Sequence, residues 1–371
     1  MVRVVVVGGG VVGTMHARAA VRRGHDVVQV EADPEPRKAS VRNFGLVWVS
    51  GRAAGAELEC ALRARDLWER IGTDVPGVGF RADGSLTVAR TTDELDAMAQ
   101  AFGGMPDAAD RGFKLLDPIE TRRLNPVVRG AEVVGALFCE RDAIVEPGQV
   151  LPALREHLTA TGRYRFVAGR TAVEVDTGTV VDHVGDRYDG DIVVVCPGAA
   201  HAGVVGGALA NAPLRRCRLQ MMQTEPLGER LTTAVADGDS LRFYPAFADW
   251  RDPLGSAAPV VERWHAQLLI SQRASGALTI GDTHVYDEPY DFAVDEEPYD
   301  HLRARAQAIL GPRLPPVRRR WAGVYSVATD PDLVCVRTEV MDGVVVVTGL
   351  GGRGMTLSPA VGEETIAGLG L

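Results

Sequence analysis

The chain opens Val2-Arg3-Val4-Val5-Val6-Val7-Gly8-Gly9-Gly10-Val11-Val12-Gly13, and this stretch decides the fold. Its valine run reads as a strand buried on both faces, as parallel sheets require. The glycines break the strand, and a helix is expected from there to Arg23, with Gly24 as its stop. A second strand, Asp26 to Val30, ends at Glu31, 18 residues after Gly13. In such a β-α-β unit Gly8, Gly10 and Gly13 let the backbone turn tightly and approach a pyrophosphate, which sits on the helix-start N–H groups around Val11 and Val12. Glu31, with Ala32 beside it, is placed to accept hydrogen bonds from an adenosine ribose. An acid there favours an unphosphorylated ribose, that of FAD or NAD.

At the other end stands Thr348-Gly349-Leu350-Gly351-Gly352-Arg353-Gly354-Met355-Thr356-Leu357-Ser358-Pro359, between a strand (Val344–Thr348) and a helix expected from about Pro359. A sharp turn needs one or two glycines, whereas four offer close backbone approach to a ligand. Nucleotide determinants at both termini suggest one long cofactor bridged by both, which favours FAD over NAD.

Between the termini a helix is expected over Ala53–Ile71. Helix Pro147–Thr161 and strands Tyr164–Val167, Ala172–Asp176 and Asp191–Cys196 read as a return to the first sheet. Around them, Asp83-Gly84 signals a hairpin and Thr92–Phe102 a helix. Short strands follow at Leu219–Thr224, Leu241–Tyr244, Leu268–Ser271 and Leu278–Gly281, with a helix from about Asp295 to Leu310. The chain thus divides into a nucleotide domain (1–79, 141–213 and 313–371) and a largely antiparallel second domain (80–140 and 214–312). The class is α/β.

Composition bounds the rest. With 371 residues, 46% hydrophobic and 24% charged, the chain is globular, and its net charge of −9 disfavours nucleic acid and anionic membranes as partners. No apolar run approaches the roughly 18 residues of a membrane span. Five cysteines lack zinc or redox spacing, so neither a metal site nor a disulfide framework is expected, and a cytoplasmic location follows.

Val5 to Gly13, Glu31, Val193-Val194-Val195-Cys196-Pro197-Gly198-Ala199, Trp321-Ala322-Gly323 and the Gly349–Pro359 loop together resemble the D-amino-acid oxidase superfamily, which includes glycine and sarcosine oxidases. The resemblance covers essentially the whole chain. It implies a Rossmann-like FAD domain of the glutathione-reductase type beside an antiparallel β substrate domain. It also implies hydride transfer to the flavin from the carbon next to an amine nitrogen. Carried onto this sequence, the cofactor contacts fall on Ser40, Arg42, Asn43, Phe44, Gly45, Val173, Pro197, Gly198, Ala199, Trp321, Gly323, Gly349, Gly351, Gly352, Arg353, Gly354, Met355 and Thr356. The segment Ser40–Gly45 and the run Gly281-Asp282-Thr283-His284 look closer to a subgroup associated with phosphonate catabolism.

The departures bear on substrate. Tyr325 stands where glycine oxidase-like members carry the arginine that grips a carboxylate, and Gly352 stands where another arginine would, with Arg353 next. Gly323 replaces the cysteine that attaches flavin in sarcosine oxidase-like members, so FAD is expected to be non-covalent. Neither Lys38 nor Lys114, the only lysines, fits a position that activates oxygen, which leaves oxygen or another electron acceptor open. Tyr244, Tyr325, Arg42 and Arg353 are the pocket candidates, with Arg42 equally readable as a surface arginine. His284, expected on a strand beside Asp282 and Tyr286, reads more readily as a structural histidine than as a base. Hydride loss from an amine needs the neutral amine and alignment, so no acid–base pair is required. The expectation is a small amine substrate carrying an anionic group. An N-methylated aminoalkylphosphonate is the first compound to try, and the rivals are a glycine, sarcosine or D-amino acid oxidase, an NAD-linked dehydrogenase and a flavin-binding protein without turnover.

Overall fold

The computed structural model describes residues 1–291, 293–311 and 313–371. The valine run forms the centre of a six-stranded sheet in the order Val336–Met341, Val344–Thr348, Ile192–Val195, Arg3–Val7, Asp26–Val30, Tyr164–Val167. All neighbours are parallel except the edge pair Val336–Met341/Val344–Thr348. Val4, Val5 and Val6 are fully buried because helices cover one face and a small three-stranded sheet lies over the other. The covering helices are Val11–Arg22, Ala56–Asp74 and Gly354–Gly368.

A second, eight-stranded sheet has the order Val317–Ala328, Leu214–Pro226, Ala277–Gly281, Leu269–Gln272, Ala234–Asp237, Ser85–Ala89, Gly135–Cys139, Phe113–Leu116. Its pairs are antiparallel apart from Ala234–Asp237 with Ser85–Ala89. One face packs on helix Glu296–Leu310, while Leu219, Met221, Trp321 and Tyr325 lie on the opposite face. Asp142 ties the domains: fully buried, it accepts from the backbone of Val49 and Ser50 and from the hydroxyls of Ser50 (2.7 Å) and Ser85 (2.6 Å).

Four expectations are corrected here. Val317–Ala328 pairs along its length with Leu214–Pro226, so this part of 313–371 belongs to the second sheet. Ala172–Asp176 leaves the parallel sheet and joins Thr179–Asp182 and Arg187–Asp189 in the three-stranded one. Leu241–Tyr244 is no strand: the Asp237 carboxylate caps the Ser240 N–H (3.0 Å) and winds Gly238–Phe243 into a 3-10 helix. The last helix begins at Gly354, with Pro359 inside it.

That proline is tolerated for a visible reason. Without an N–H it leaves the Met355 carbonyl unpaired, and the Trp68 indole N–H donates to that carbonyl at 2.9 Å. Trp68 is fully buried, so Trp68→Phe should strand the carbonyl and lower stability by about 1–3 kcal/mol. Urea unfolding checks this, and an unchanged midpoint would show that the bond contributes nothing.

Candidate active site

Parallel sheets bind ligands beyond the carboxyl ends of their strands, and the sequence-predicted nucleotide residues gather there. Gly8 has a φ of +110°, and a Cβ on it would stand 2.2 Å from the Cys196 carbonyl oxygen, so only glycine lets these two strand ends meet. Gly10 is the N-cap of helix Val11–Arg22 and carries no side-chain cap, which leaves first-turn N–H groups for an anion. A Cβ on Gly10 would meet nothing closer than Ser40 Oγ at 3.1 Å, and Val11 N–H donates to that hydroxyl at 2.9 Å. Glu31 accepts from the backbone N–H groups of Gly9 and Asp33, which fixes its carboxylate beside the glycine turn. Arg170 N–H donates to the Glu31 carbonyl at 2.8 Å, and Val173, three residues on, is 56% exposed. These groups fit an adenosine diphosphate moiety: helix N–H groups for phosphate, a carboxylate for ribose and an uncovered apolar side chain for the base.

The loop after Glu31 is held by its own side chains. Asn43 donates to the Ala39 carbonyl (2.9 Å) and accepts from Gly45 N–H (2.7 Å), while Arg273 donates to the carbonyls of Asn43 and Phe44. Arg42 leans over the second sheet: Nη1 donates to Ala322 O at 3.0 Å, and its Cβ lies 3.8 Å from where a Cβ on Gly323 would be. Trp321 Nε1 donates to Arg42 O at 3.4 Å. The C-terminal loop closes the other side. The Thr348 hydroxyl donates to Gly198 O at 2.8 Å, binding the Pro197-Gly198-Ala199 turn to it, and Trp48 N–H donates to Thr356 Oγ1 at 2.9 Å.

Aromatic side chains gather between the loop and the second sheet. Cys217 and Tyr325 are directly opposed on neighbouring strands, as are Leu219 and Gly323. A Cβ on Gly352 would come within 3.4 Å of the Tyr325 hydroxyl, so the glycine loop lies against that ring. Tyr244 packs at 6.1 Å from Trp48, and its buried hydroxyl has no partner among the described residues. Asp282, just past strand Ala277–Gly281, is 6% exposed, and its Oδ1 also lacks a partner among the described residues. Burial pushes its pKa up to about 6, with the nearby His284 opposing the rise. Burial raises the phenols of Tyr244 and Tyr325 above the ordinary tyrosine value, and the charge of Asp282 adds to the rise.

Two sequence-predicted residues sit differently from expectation. Arg353 is occupied elsewhere: Nε donates to Leu350 O (3.0 Å), Nη2 to Leu333 O and Val334 O (3.2 Å each), and Nη1 lies 3.2 Å from Glu57 Oε1. It fastens the glycine loop to helix Ala56–Asp74 and is not offered to the pocket as an anion anchor. His284 lies beyond the strand end, with Nδ1 3.2 Å from His265 O and Nε2 3.9 Å from Asp282 Oδ2. Asp282 is a buried acid, with Oδ1 unpartnered among the described residues, that the sequence does not single out. Its signal is the run Gly281-Asp282-Thr283-His284, in which the histidine alone draws attention.

Comparison with known proteins gives the family and the fold. The family described as DAO, FAD dependent oxidoreductase, matches residues 3–367. An opine oxidase subunit from Agrobacterium tumefaciens is 27% identical over 237 residues, covering 59% of this chain and 62% of that protein. The tRNA 5-methylaminomethyl-2-thiouridine biosynthesis bifunctional protein MnmC of Caulobacter vibrioides is 28% identical over 378 residues, 98% of this chain and 54% of its own. The chain covers 62%, 62%, 40% and 54% of the lengths of four curated relatives that it matches. Glycine oxidase from Bacillus cereus superposes with a TM-score of 0.79 at 18% identity, over 100% of this chain and 96% of that one. L-proline dehydrogenase from P. horikoshii gives a TM-score of 0.80 at 19% identity, over 99% and 93%. At those identities the likeness establishes the fold.

Proposed function

The chain belongs to the DAO family of FAD-dependent oxidoreductases, and from that premise we propose that it oxidises the carbon–nitrogen bond of a small amine, first among candidates an N-methylated aminoalkylphosphonate. FAD supplies the hydride acceptor when bound. The chain's residues do the rest. Gly10 and Val12 would receive the pyrophosphate at the helix start, with the Val11 N–H held by the Ser40 hydroxyl; Glu31 would hold the ribose, and residues 40–45 with the Gly349–Thr356 loop would enclose the flavin. Leu219, Gly323 and Tyr325 form a wall against which the amine carbon is aligned, and the buried surroundings of Tyr244 and Tyr325 exclude water from the reacting bond.

The observation that carries this reading is the pocket wall itself. Tyr325 occupies the position of the carboxylate-gripping arginine, and Arg353 is engaged by Glu57 and three carbonyls. Neither position offers a planar fork to a carboxylate next to the reacting carbon, which disfavours a simple α-amino acid. Relatives whose names denote opine oxidation and methylaminomethyl-uridine synthesis support amine chemistry of a secondary type.

The test is anaerobic flavin bleaching with N-methyl-2-aminoethylphosphonate, sarcosine and glycine in parallel. The phosphonate is expected to reduce the flavin fastest. Faster reduction by sarcosine or glycine would replace the phosphonate reading with an amino-acid one, and an unbleached flavin throughout would end the amine reading. The same preparation tests attachment. Gly323 has no thiol, so acid precipitation should release the yellow flavin into the supernatant, and flavin retained in the pellet would refute non-covalent binding.

A further inference from the structure

We propose that the pocket is bipolar: the Asp282 carboxylate, among tyrosines that feel its charge, receives the substrate's protonated nitrogen and takes that proton to leave the neutral amine, and Arg215 at the rim receives the anionic group. The inference rests on the amine reading above and names the groups that would select the substrate.

A buried carboxylate is costly unless a cation or several donors compensate it. Asp282 has neither in full. Its Oδ1 is buried without a partner among the described residues, and His284 Nε2 stands 3.9 Å from Oδ2, too far for a hydrogen bond. The other titratable groups that feel its charge are Tyr244, Tyr286, Tyr325 and Cys217, none of them a cation. Arg52, which also acts on Tyr244, is already paired with Glu57 at 3.3 Å. Oδ1 is thus a buried carboxylate oxygen open to a cation that a ligand brings. Phenol rings attract an alkylated ammonium through their faces, so tyrosines close enough to feel the charge of Asp282 suit a methylated cation.

Arg215 supplies the second pole. It lies two residues before Cys217 on strand Leu214–Pro226, and alternation places both on the face that carries Tyr325. Its guanidinium stacks 3.7 Å from the centroid of Tyr286, the ring that also adjoins Cys217 and feels the charge of Asp282. Arg215 is exposed and makes no ion pair or hydrogen bond among the described residues, whereas its neighbour Arg216 is paired with Glu288. A stacked guanidinium keeps its edge N–H groups free for an oxyanion. Tyr286 thus connects a cation-seeking floor to an anion-seeking rim, the charge pattern of an ammonium bearing a phosphonate or carboxylate.

The test uses FAD-loaded protein and ligands that are not turned over. 2-(Trimethylammonio)ethylphosphonate has no nitrogen lone pair and cannot lose hydride to form an imine. Ethylphosphonate lacks the cation, and tetramethylammonium lacks the anion. Dissociation constants come from calorimetry and from perturbation of the flavin spectrum. Asp282→Asn should weaken the trimethylammonio ligand by roughly 30-fold or more while leaving ethylphosphonate within about twofold. Arg215→Met should weaken ethylphosphonate about tenfold and spare tetramethylammonium. Tyr286→Leu keeps both charges, and should weaken tetramethylammonium more than ethylphosphonate. Asp282→Asn binding the trimethylammonio ligand as tightly as the parent, or losing ethylphosphonate by the same factor, would overturn the assignment. Because no probe is oxidised, these results stand apart from the amine reading, whose failure shows instead as flavin that no amine bleaches.

Discussion

Gly10→Val is expected to give a folded protein that holds no flavin. The separation of those two outcomes follows from the geometry of the turn. Gly10 has φ −71° and ψ 177°, a conformation open to any residue, and the only obstacle near a new Cβ is Ser40 Oγ at 3.1 Å, the end of a side chain that can rotate. The fold therefore tolerates the change. The space that a valine would fill lies over the helix start, where a pyrophosphate must approach the backbone. The dissociation constant for FAD should rise by roughly 100-fold or more, about 3 kcal/mol. Gly13→Val is the contrasting control, since its Cβ would stand 2.1 Å from the Gly8 carbonyl oxygen and the turn cannot form around it. Absorbance near the flavin band, together with melting of the apo protein, distinguishes the two. A yellow Gly10→Val protein would remove the pyrophosphate from this helix.

Why some of this is legible in sequence, and some not, comes down to where each signal resides. Val4, Val5 and Val6 announce a strand covered on both faces because burial of every side chain leaves no polar alternation, and the glycines that follow carry their own local reason. Ala172–Asp176 reads as part of the same sheet, yet its alternation of Val173 and Val175 with Glu174 and Asp176 already describes a strand half open to water. Leu241–Tyr244 misleads because its winding depends on a cap from Asp237, and local propensity yields to such a contact. Pro359 suggests a helix start, but Trp68, remote in sequence, repairs the bond that the proline breaks. Asp282 is the largest omission. One acid at the head of an acidic stretch looks solvated, and only the fold brings Tyr244 and Tyr325, from distant segments, within reach of its charge. Arg353 misleads in the opposite direction: its position in the glycine loop suggests a ligand, while its partner Glu57 lies in a helix that no motif connects to it.

That partner supports the second large effect. Glu57 is buried between Arg52 (3.3 Å) and Arg353 (3.2 Å), and it accepts the Ala53 N–H at 3.0 Å. Burial alone would push its pKa up, but the two guanidinium groups outweigh that and hold the carboxyl below the usual glutamate value. Glu57→Ala would leave two largely buried arginines without their shared counter-ion, a change that costs about 3–5 kcal/mol. Because the folded pKa is the lower one, the stabilisation is fully present above the unfolded value of about 4.3 and disappears as pH falls through the folded value. Urea unfolding at pH 7 should thus show the large loss, and the gap between parent and variant should narrow as acid protonates Glu57 in the parent. Arg353→Leu should lose stability in the same way and loosen FAD through its loop, with no selective change in substrate affinity. In the double variant the two losses should be far from additive, since each removes the same pair. Additive losses, or a Glu57→Ala protein within about 1 kcal/mol of the parent at neutral pH, would show that Arg353 is free to serve the pocket after all.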